Sequence, residues 1–219
     1  MTDAQLRLGS IFATPFAAGH LGLDARVNEQ IAQLCMLLCQ SNDADAQSTP
    51  LTFLSRENFF SFGDAPVQCL REAFVNAVIR TVAAIAPKTV QQWTGLSADV
   101  QARFAVLREG GAVPMIQSKA ASWNCVYAVK TAAVSKGRPD SGAVRIYETR
   151  PHNMFMDGCN WGFQAPFAHG HHLWRPIAGH LALFPAACAY EVAALRDTET
   201  QILIFDRVRF VAASSQAGA

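Results

Sequence analysis

Histidine is concentrated in one part of this chain. His169, His171 and His172 fall together in AHGHHLW, and His152 and His180 flank them in sequence. On a strand, His169 and His171 project to one face and His172 to the other. A His-x-His pair on one face is the start of a Zn, Cu or Fe site, with His152, Glu148 or Asp157 as a third ligand. No second spaced pair accompanies it, which favours a solvated loop rich in His and Gly. A second polar run, Tyr147–His152 (YETRPH), follows a strand-like stretch. If it points into a concave site, Glu148 or His152 can transfer protons and Arg150 can hold a carboxylate. If it lies at the surface, Glu148 and Arg150 pair with each other at little energetic gain. Trp123, Tyr127, Trp161, Phe163 and Trp174 would supply aromatic walls, although each alone fits core packing. The six cysteines form no CxxC pair and mostly sit in apolar runs, as reduced core thiols do. Cys125 has no base near it in sequence, so it reads as packing.

These residues need a scaffold, and the chain is long enough to build one. Of its 219 residues, 51% are hydrophobic and only 16% charged, the balance of a packed globular protein. The formal net charge is +1 and no basic cluster breaks it, which argues against nucleic acid or an anionic membrane surface as partner. The greasiest stretch, 74–87, is interrupted by Asn76 and Arg80 and is too short to span a bilayer. The first ten residues lack the basic-then-apolar pattern of a secretory signal, so the expected location is cytoplasmic.

Apolar residues at Val27, Ile31, Leu34, Leu37 and Leu38 predict a helix over 24–40, with Asp24 as its N-cap. A second helix is predicted over 66–86, with Pro66 in its first turn, Asp64 as cap and Pro87 as terminator. Residues 7–16 read as a strand and Pro turn, and 41–50 as a loop. From about Val100 the period becomes two. Strand-like runs follow at 100–106, 122–131, 143–148, 171–175, 179–184, 189–195 and 200–211, separated by Gly, Pro, Asn and Asp turns. The expected class is α+β, mainly β. One domain over 1–219 has a helical part over 1–99 and a β core over 100–219, with the helices packed on the outside of a sandwich or barrel.

The order of several short motifs resembles that of the 2-oxoglutarate/Fe(II) oxygenases. IFATPF (Ile11–Phe16), RFAVLREGG (Arg103–Gly111), SWNCVYAV (Ser122–Val129), YETRPH and TQILIFD (Thr200–Asp206) match in sequence order. RPIAGHLALFPAACAYEV (Arg175–Val192) is the most specific of the matches. The resemblance implies a double-stranded β-helix, the jelly-roll or cupin-like fold. It also implies an iron held by a His, by a His or Asp two residues on, and by a distal His, with an Arg near the last strand gripping 2-oxoglutarate. Carried over by position, the paired ligands fall on Ile116 and Ser118, the distal His on Tyr190 and the Arg on Thr200. Ile has no donor atom, neutral Ser and Tyr are poor Fe(II) ligands, and Thr cannot replace a guanidinium. Neither Fe(II) nor 2-oxoglutarate is therefore expected at these positions, and the cofactor is unknown. A phenol at Tyr190 would donate a hydrogen bond to a substrate carbonyl or act as general acid, or else serve as a core Tyr.

The expected function is an oxygenase-like scaffold repurposed for a metal-independent acid–base step on a small molecule of metabolite biosynthesis. Glu148, Tyr190 and His152 would be catalytic, and Arg150, Trp123 and Tyr127 would bind substrate. The alternatives are a non-catalytic pseudo-oxygenase binding protein, and an oxygenase with a displaced metal site on His169 and His171. The partner expected is a small molecule, neither nucleic acid nor membrane, and homodimerisation is left open. Trp123, Glu148, Arg150 and Tyr190 are expected to line one cavity.

Overall fold

The computed structural model describes residues 13–40, 44–45, 47–94, 96–118, 120–132, 138–149 and 170–211. Helix α1 runs Ala25–Leu38. It starts where the Asp24 carboxylate accepts from the Arg26 amide at 2.7 Å, satisfying one of the free amides of the first turn. Ile31, Ala32 and Cys35 form its buried stripe. Helix α2, Ala65–Ile85, carries Pro66 in its first turn and buries Val67, Leu70, Phe74, Val78, Ile79 and Val82. Asp64 stands at its N-cap but makes no side-chain capping bond. A short helix α3, Val90–Thr94, follows. No helix among the described residues is long and apolar enough to cross a membrane.

Among the described residues, ten strands build two antiparallel sheets. The larger has the order β1 (Ala17–His20), β8 (His180–Pro185), β5 (Trp123–Lys130), β10 (Gln201–Val211), β3 (Ser97–Leu107) and β2 (Thr52–Leu54). The smaller has the order β4 (Val113–Ile116), β9 (Tyr190–Val192), β6 (Val144–Tyr147) and β7 (His171–Trp174). The two sheets form a jelly roll. Strand β10 pairs along its whole length with β3 (Gln201 opposite Leu107, Val211 opposite Ser97) and on its other side with β5.

The larger sheet is buried on both faces, and strand alternation sorts its residues between two cores. Ala102, Phe104 and Val106 of β3, Cys125, Tyr127 and Val129 of β5, and Ile202, Ile204 and Val208 of β10 pack with α1 and α2. Ala105 and Leu107, Val126 and Ala128, and Leu203 and Phe205 turn the other way. They pack against Val113, Val144, Ile146, Tyr190 and Val192 of the smaller sheet. Edge-to-face rings strengthen the helix-side core: Phe59 on Phe104 at 5.3 Å, Phe60 on Phe74 at 5.5 Å and Phe74 on Tyr127 at 5.7 Å. Such pairs add about 0.5–1.5 kcal/mol each beyond the area they bury.

The sequence predicts α1, α2 and seven of the eight described strands from residue 97 onward, but it misses β4 and α3, and the first strand is misplaced. Ala13–Phe16 is not a strand, and β1 begins at Ala17; residues 7–12 lie outside the described set. AAGH has no β-branched residue, and its conformation is set by pairing with β8. Strand β2 and the 3₁₀ turn Phe59–Ser61 were not anticipated. Strand β2 is three residues long and buried throughout, so it shows no alternation.

Strand β4 is held in place by a close approach of backbones. A Cβ on Gly111 would lie 2.3 Å from the Leu51 carbonyl oxygen, so only glycine fits there. The Thr52 hydroxyl accepts from the Ala112 amide at 3.0 Å and donates to its carbonyl at 3.1 Å.

Candidate active site at the mouth of the jelly roll

A cleft of about 290 Å³ opens at one end of the space between the sheets. Four strands supply its walls: Gln101 and Arg103 from β3, Met115 and Ile116 from β4, Tyr190 from β9, and Phe205 and Arg207 from β10. Gln117 and Ser118 extend the β4 side, and Gln47 and Glu57 close the cleft from the N-terminal part. Ile116 and Tyr190 are direct cross-strand partners.

Tyr190 is 1% exposed, with Phe184 edge-on to its ring at 5.3 Å and Phe205 at 6.0 Å. Its hydroxyl has no hydrogen-bond partner among the described residues. Burial pushes its ionisation far above the ordinary phenol range, and the charges of Arg103 and Arg207 offset only part of this. At neutral pH Tyr190 is therefore a hydrogen-bond donor. Ser118 is not free in the same way. Its hydroxyl donates to Asn124 Oδ1 at 2.6 Å, and the fully buried Asn124 amide donates in turn to the Cys188 carbonyl at 3.4 Å.

The cleft's cations, Arg103 and Arg207, stand on β3 and β10, where Phe205 faces Arg103 and Arg207 faces Gln101; further along, outside the cleft, Arg209 faces Asp99. Arg207 donates to Gln101 Oε1 at 2.7 Å and forms an ion pair with Glu57. Arg209 pairs with Asp99 at 2.9 Å. Arg103 has neither a hydrogen bond nor an ion pair among the described residues.

Among solved structures, a prolyl-4-hydroxylase from Pseudomonas putida matches at a TM-score of 0.58 and 14% identity, covering 89% of this chain and 91% of its own. The prolyl hydroxylase of Trichoplax adhaerens, solved with a fragment of hypoxia inducible factor, matches at 0.59 and 13% over 89% and 83%. The non-heme α-ketoglutarate-dependent epimerase SnoN of nogalamycin biosynthesis matches at 0.57 and 10% over 94% and 87%. The fold is that of the 2-oxoglutarate/Fe(II) oxygenases. No family model and no curated protein matches the chain by sequence.

The three positions to which the resemblance assigns the oxygenase iron ligands, Ile116, Ser118 and Tyr190, all lie on the wall of this cleft. Their side chains do not fit ferrous iron. Ile116 offers no donor, the Ser118 hydroxyl is committed to Asn124, and Tyr190 resists ionisation. The position assigned to the 2-oxoglutarate Arg, Thr200, lies immediately before the last strand and carries no charge. The first residue of β10 is the buried Gln201, whose amide donates to the Gly142 carbonyl at 2.8 Å. Gln201 carries no positive charge either.

Of the four residues expected to line one cavity, Tyr190 lines this cleft, Trp123 and Glu148 do not, and Arg150 lies outside the described residues. Trp123 and Tyr127 lie on the helix-facing side of β5. The Tyr127 hydroxyl donates to Asn28 Oδ1 of α1 at 2.9 Å, and burial pushes its phenol up to about 12. Strand β5 is buried on both faces, so its alternation carries no signal of which side faces inward. Glu148, just past β6, is half-buried and does not line the cleft. Trp174 is buried between the sheets.

Arg150, His152, Trp161, Phe163 and His169 lie outside the described residues. His171 is exposed on β7 beside the Tyr147 ring at 5.8 Å, and His172 lies against Phe16 at 4.5 Å. Among the described residues no three His, Cys, Asp or Glu side chains gather as a metal site would require. Sequence reasoning missed Glu57, Gln101, Arg103 and Arg207. Gln101 and Arg103 alternate with apolar neighbours and so look like the wet face of an ordinary strand.

Proposed function

We propose that this protein uses the oxygenase fold for a non-oxidative, acid–base step on a small molecule held in the cleft. The observation that carries this reading is the chemistry of Ile116, Ser118 and Tyr190, which share one wall yet cannot hold the iron of an oxygenase. In its place the cleft offers a protonated phenol, guanidinium groups and one carboxylate. Tyr190 would donate a hydrogen bond to a substrate carbonyl, stabilising negative charge that develops on that oxygen. Glu57 is the carboxylate of the described cleft wall; it would accept a proton from the adjacent carbon and return it to carbon in an isomerisation, or pass it to a departing hydroxyl that leaves as water in an elimination. Phe205, Met115 and Ile116 would exclude water from the apolar part of the substrate.

A purely binding role is the second reading. It is favoured by the pairing of Glu57 with Arg207, which ties up the one carboxylate. The same fold carries small-molecule chemistry in SnoN, an α-ketoglutarate-dependent epimerase, which supports a catalytic use of the cleft by analogy of fold.

The test equilibrates the purified protein with a metabolite extract and identifies retained and altered molecules by mass spectrometry, alongside Tyr190→Phe and Glu57→Gln. The catalytic reading expects a product isomeric with its precursor or differing by water, lost in both variants. Retention without conversion supports the binding role. A product gaining one oxygen, with stoichiometric iron in the protein, overturns both.

A further inference from the structure

Three arginines follow one another along the inward face of the β3–β10 pair, and the fold provides counter-ions for two of them. Arg209 has Asp99, and Arg207 has Glu57 with Gln101 as a second acceptor. Arg103, the deepest of the three, has none among the described residues. It is half-buried and lines the cleft opposite Phe205. Its guanidinium is open to the cleft, so a ligand entering there meets a charged donor that no acceptor among the described residues occupies. The same cleft presents a second unsatisfied donor, the Tyr190 hydroxyl. These two donors share one small cavity with the polar side chains of Gln47, Glu57, Gln101 and Gln117, and Ile116, Met115 and Phe205 form its apolar part.

We infer that Arg103 is the anchor for a carboxylate on the ligand, with the planar fork of its guanidinium taking both carboxylate oxygens while Tyr190 donates to a neighbouring oxygen. This rests on the reading of the cleft as the ligand site and names the class of ligand. The described cleft, at about 290 Å³, has room for a compact carboxylic acid or for the carboxylate-bearing end of a longer ligand. Arg103 rather than Arg207 is the anchor because a carboxylate arriving at Arg207 would have to displace Glu57.

Benzoate and its neutral analogue benzamide serve as probes, titrated into protein carrying ¹⁵N-labelled arginine and followed through the arginine Nε–H resonances. Benzoate should saturate a shift of the Arg103 resonance, and benzamide should not. Arg103→Gln should weaken benzoate binding about tenfold or more, whereas Arg103→Lys, which keeps the charge and loses the fork, should weaken it less. Arg209→Gln should leave binding unchanged. An unaltered amide spectrum in each variant excludes unfolding as the cause. Equal binding of benzoate and benzamide, no saturable shift at Arg103, or full affinity in Arg103→Gln overturns the assignment. If affinity survives Arg103→Gln but falls in Tyr190→Phe, the cleft remains the site and only the anchor is wrong. If the shifts fall instead on Arg145 of the smaller sheet's outer surface, the cleft reading itself fails.

Discussion

Asp206 should make this protein less stable as the pH rises through the weakly acidic range. The residue is fully buried on the helix-facing side of β10, where Ala102 and Cys125 flank it on the neighbouring strands. Neither of its carboxyl oxygens has a hydrogen-bond partner. Burial raises its pKa well above the ordinary carboxylate range, and the nearby backbone amides of Arg207 and Gln101 and the charges of Arg207 and Arg71 only partly oppose this. The Cys125 thiol is itself pushed up, by burial first and by Asp206 second, and stays neutral. Between the unfolded and the folded pKa the native state binds the extra proton, so stability falls as pH rises through that window. The slope is about 1.4 kcal/mol per pH unit for one group. Each unit removes roughly a tenth to a quarter of a typical domain stability of about 5–15 kcal/mol. Asp206→Asn removes the ionisation and keeps the shape. In urea unfolding at a series of pH values from 4 upward, the variant should gain on the parent with that slope. The difference should level off above the folded pKa of Asp206. Parallel curves, or a parent that gains on the variant as the pH rises, would refute the assignment of Asp206 as an unpartnered buried acid.

Tyr127→Phe should cost about 1 kcal/mol through loss of the bond to Asn28 and leave benzoate binding unchanged, as measured by urea unfolding and by the titration above. Gly111→Ala should lose about 1–3 kcal/mol or more in thermal unfolding, because its methyl group meets backbone rather than a side chain that can swing away. Combining Ile116→His, Ser118→Asp and Tyr190→His should create a Co(II) site with visible absorption that the parent lacks. Failure of the folded triple variant to bind Co(II) would show that the three positions do not converge as the cleft geometry requires.

The parts of the fold legible in the sequence are those whose pattern is local. Asp24 ahead of an apolar stripe announces α1, and Pro66 and Pro87 bracket α2. The inward or outward sense of β5 was not legible, because Trp123, Cys125 and Tyr127 alternate with residues that are equally buried. Arg103 was overlooked for the opposite reason. Polar residues between apolar ones suggest a solvent-facing side, yet here that side becomes the wall of the cleft. The Ile116, Ser118 and Tyr190 positions were found only through the resemblance, since an Ile, a Ser and a Tyr so far apart in sequence carry no chemical signal of their own.

The order of the larger sheet also has a consequence for how the chain acquires its structure. Strand β10 lies between β5 and β3, yet it is synthesised after the nine other described strands. Until it emerges from the ribosome, β3 with β2 and β5 with β8 and β1 are separate pieces, each with an unpaired edge in the middle of the eventual sheet. Those edges are rich in buried hydrophobic residues, the kind of surface on which nascent chains aggregate. Ribosome-stalled chains ending before Gln201 should therefore remain protease-sensitive and hold chaperones, and protection should appear abruptly once β10 clears the exit tunnel.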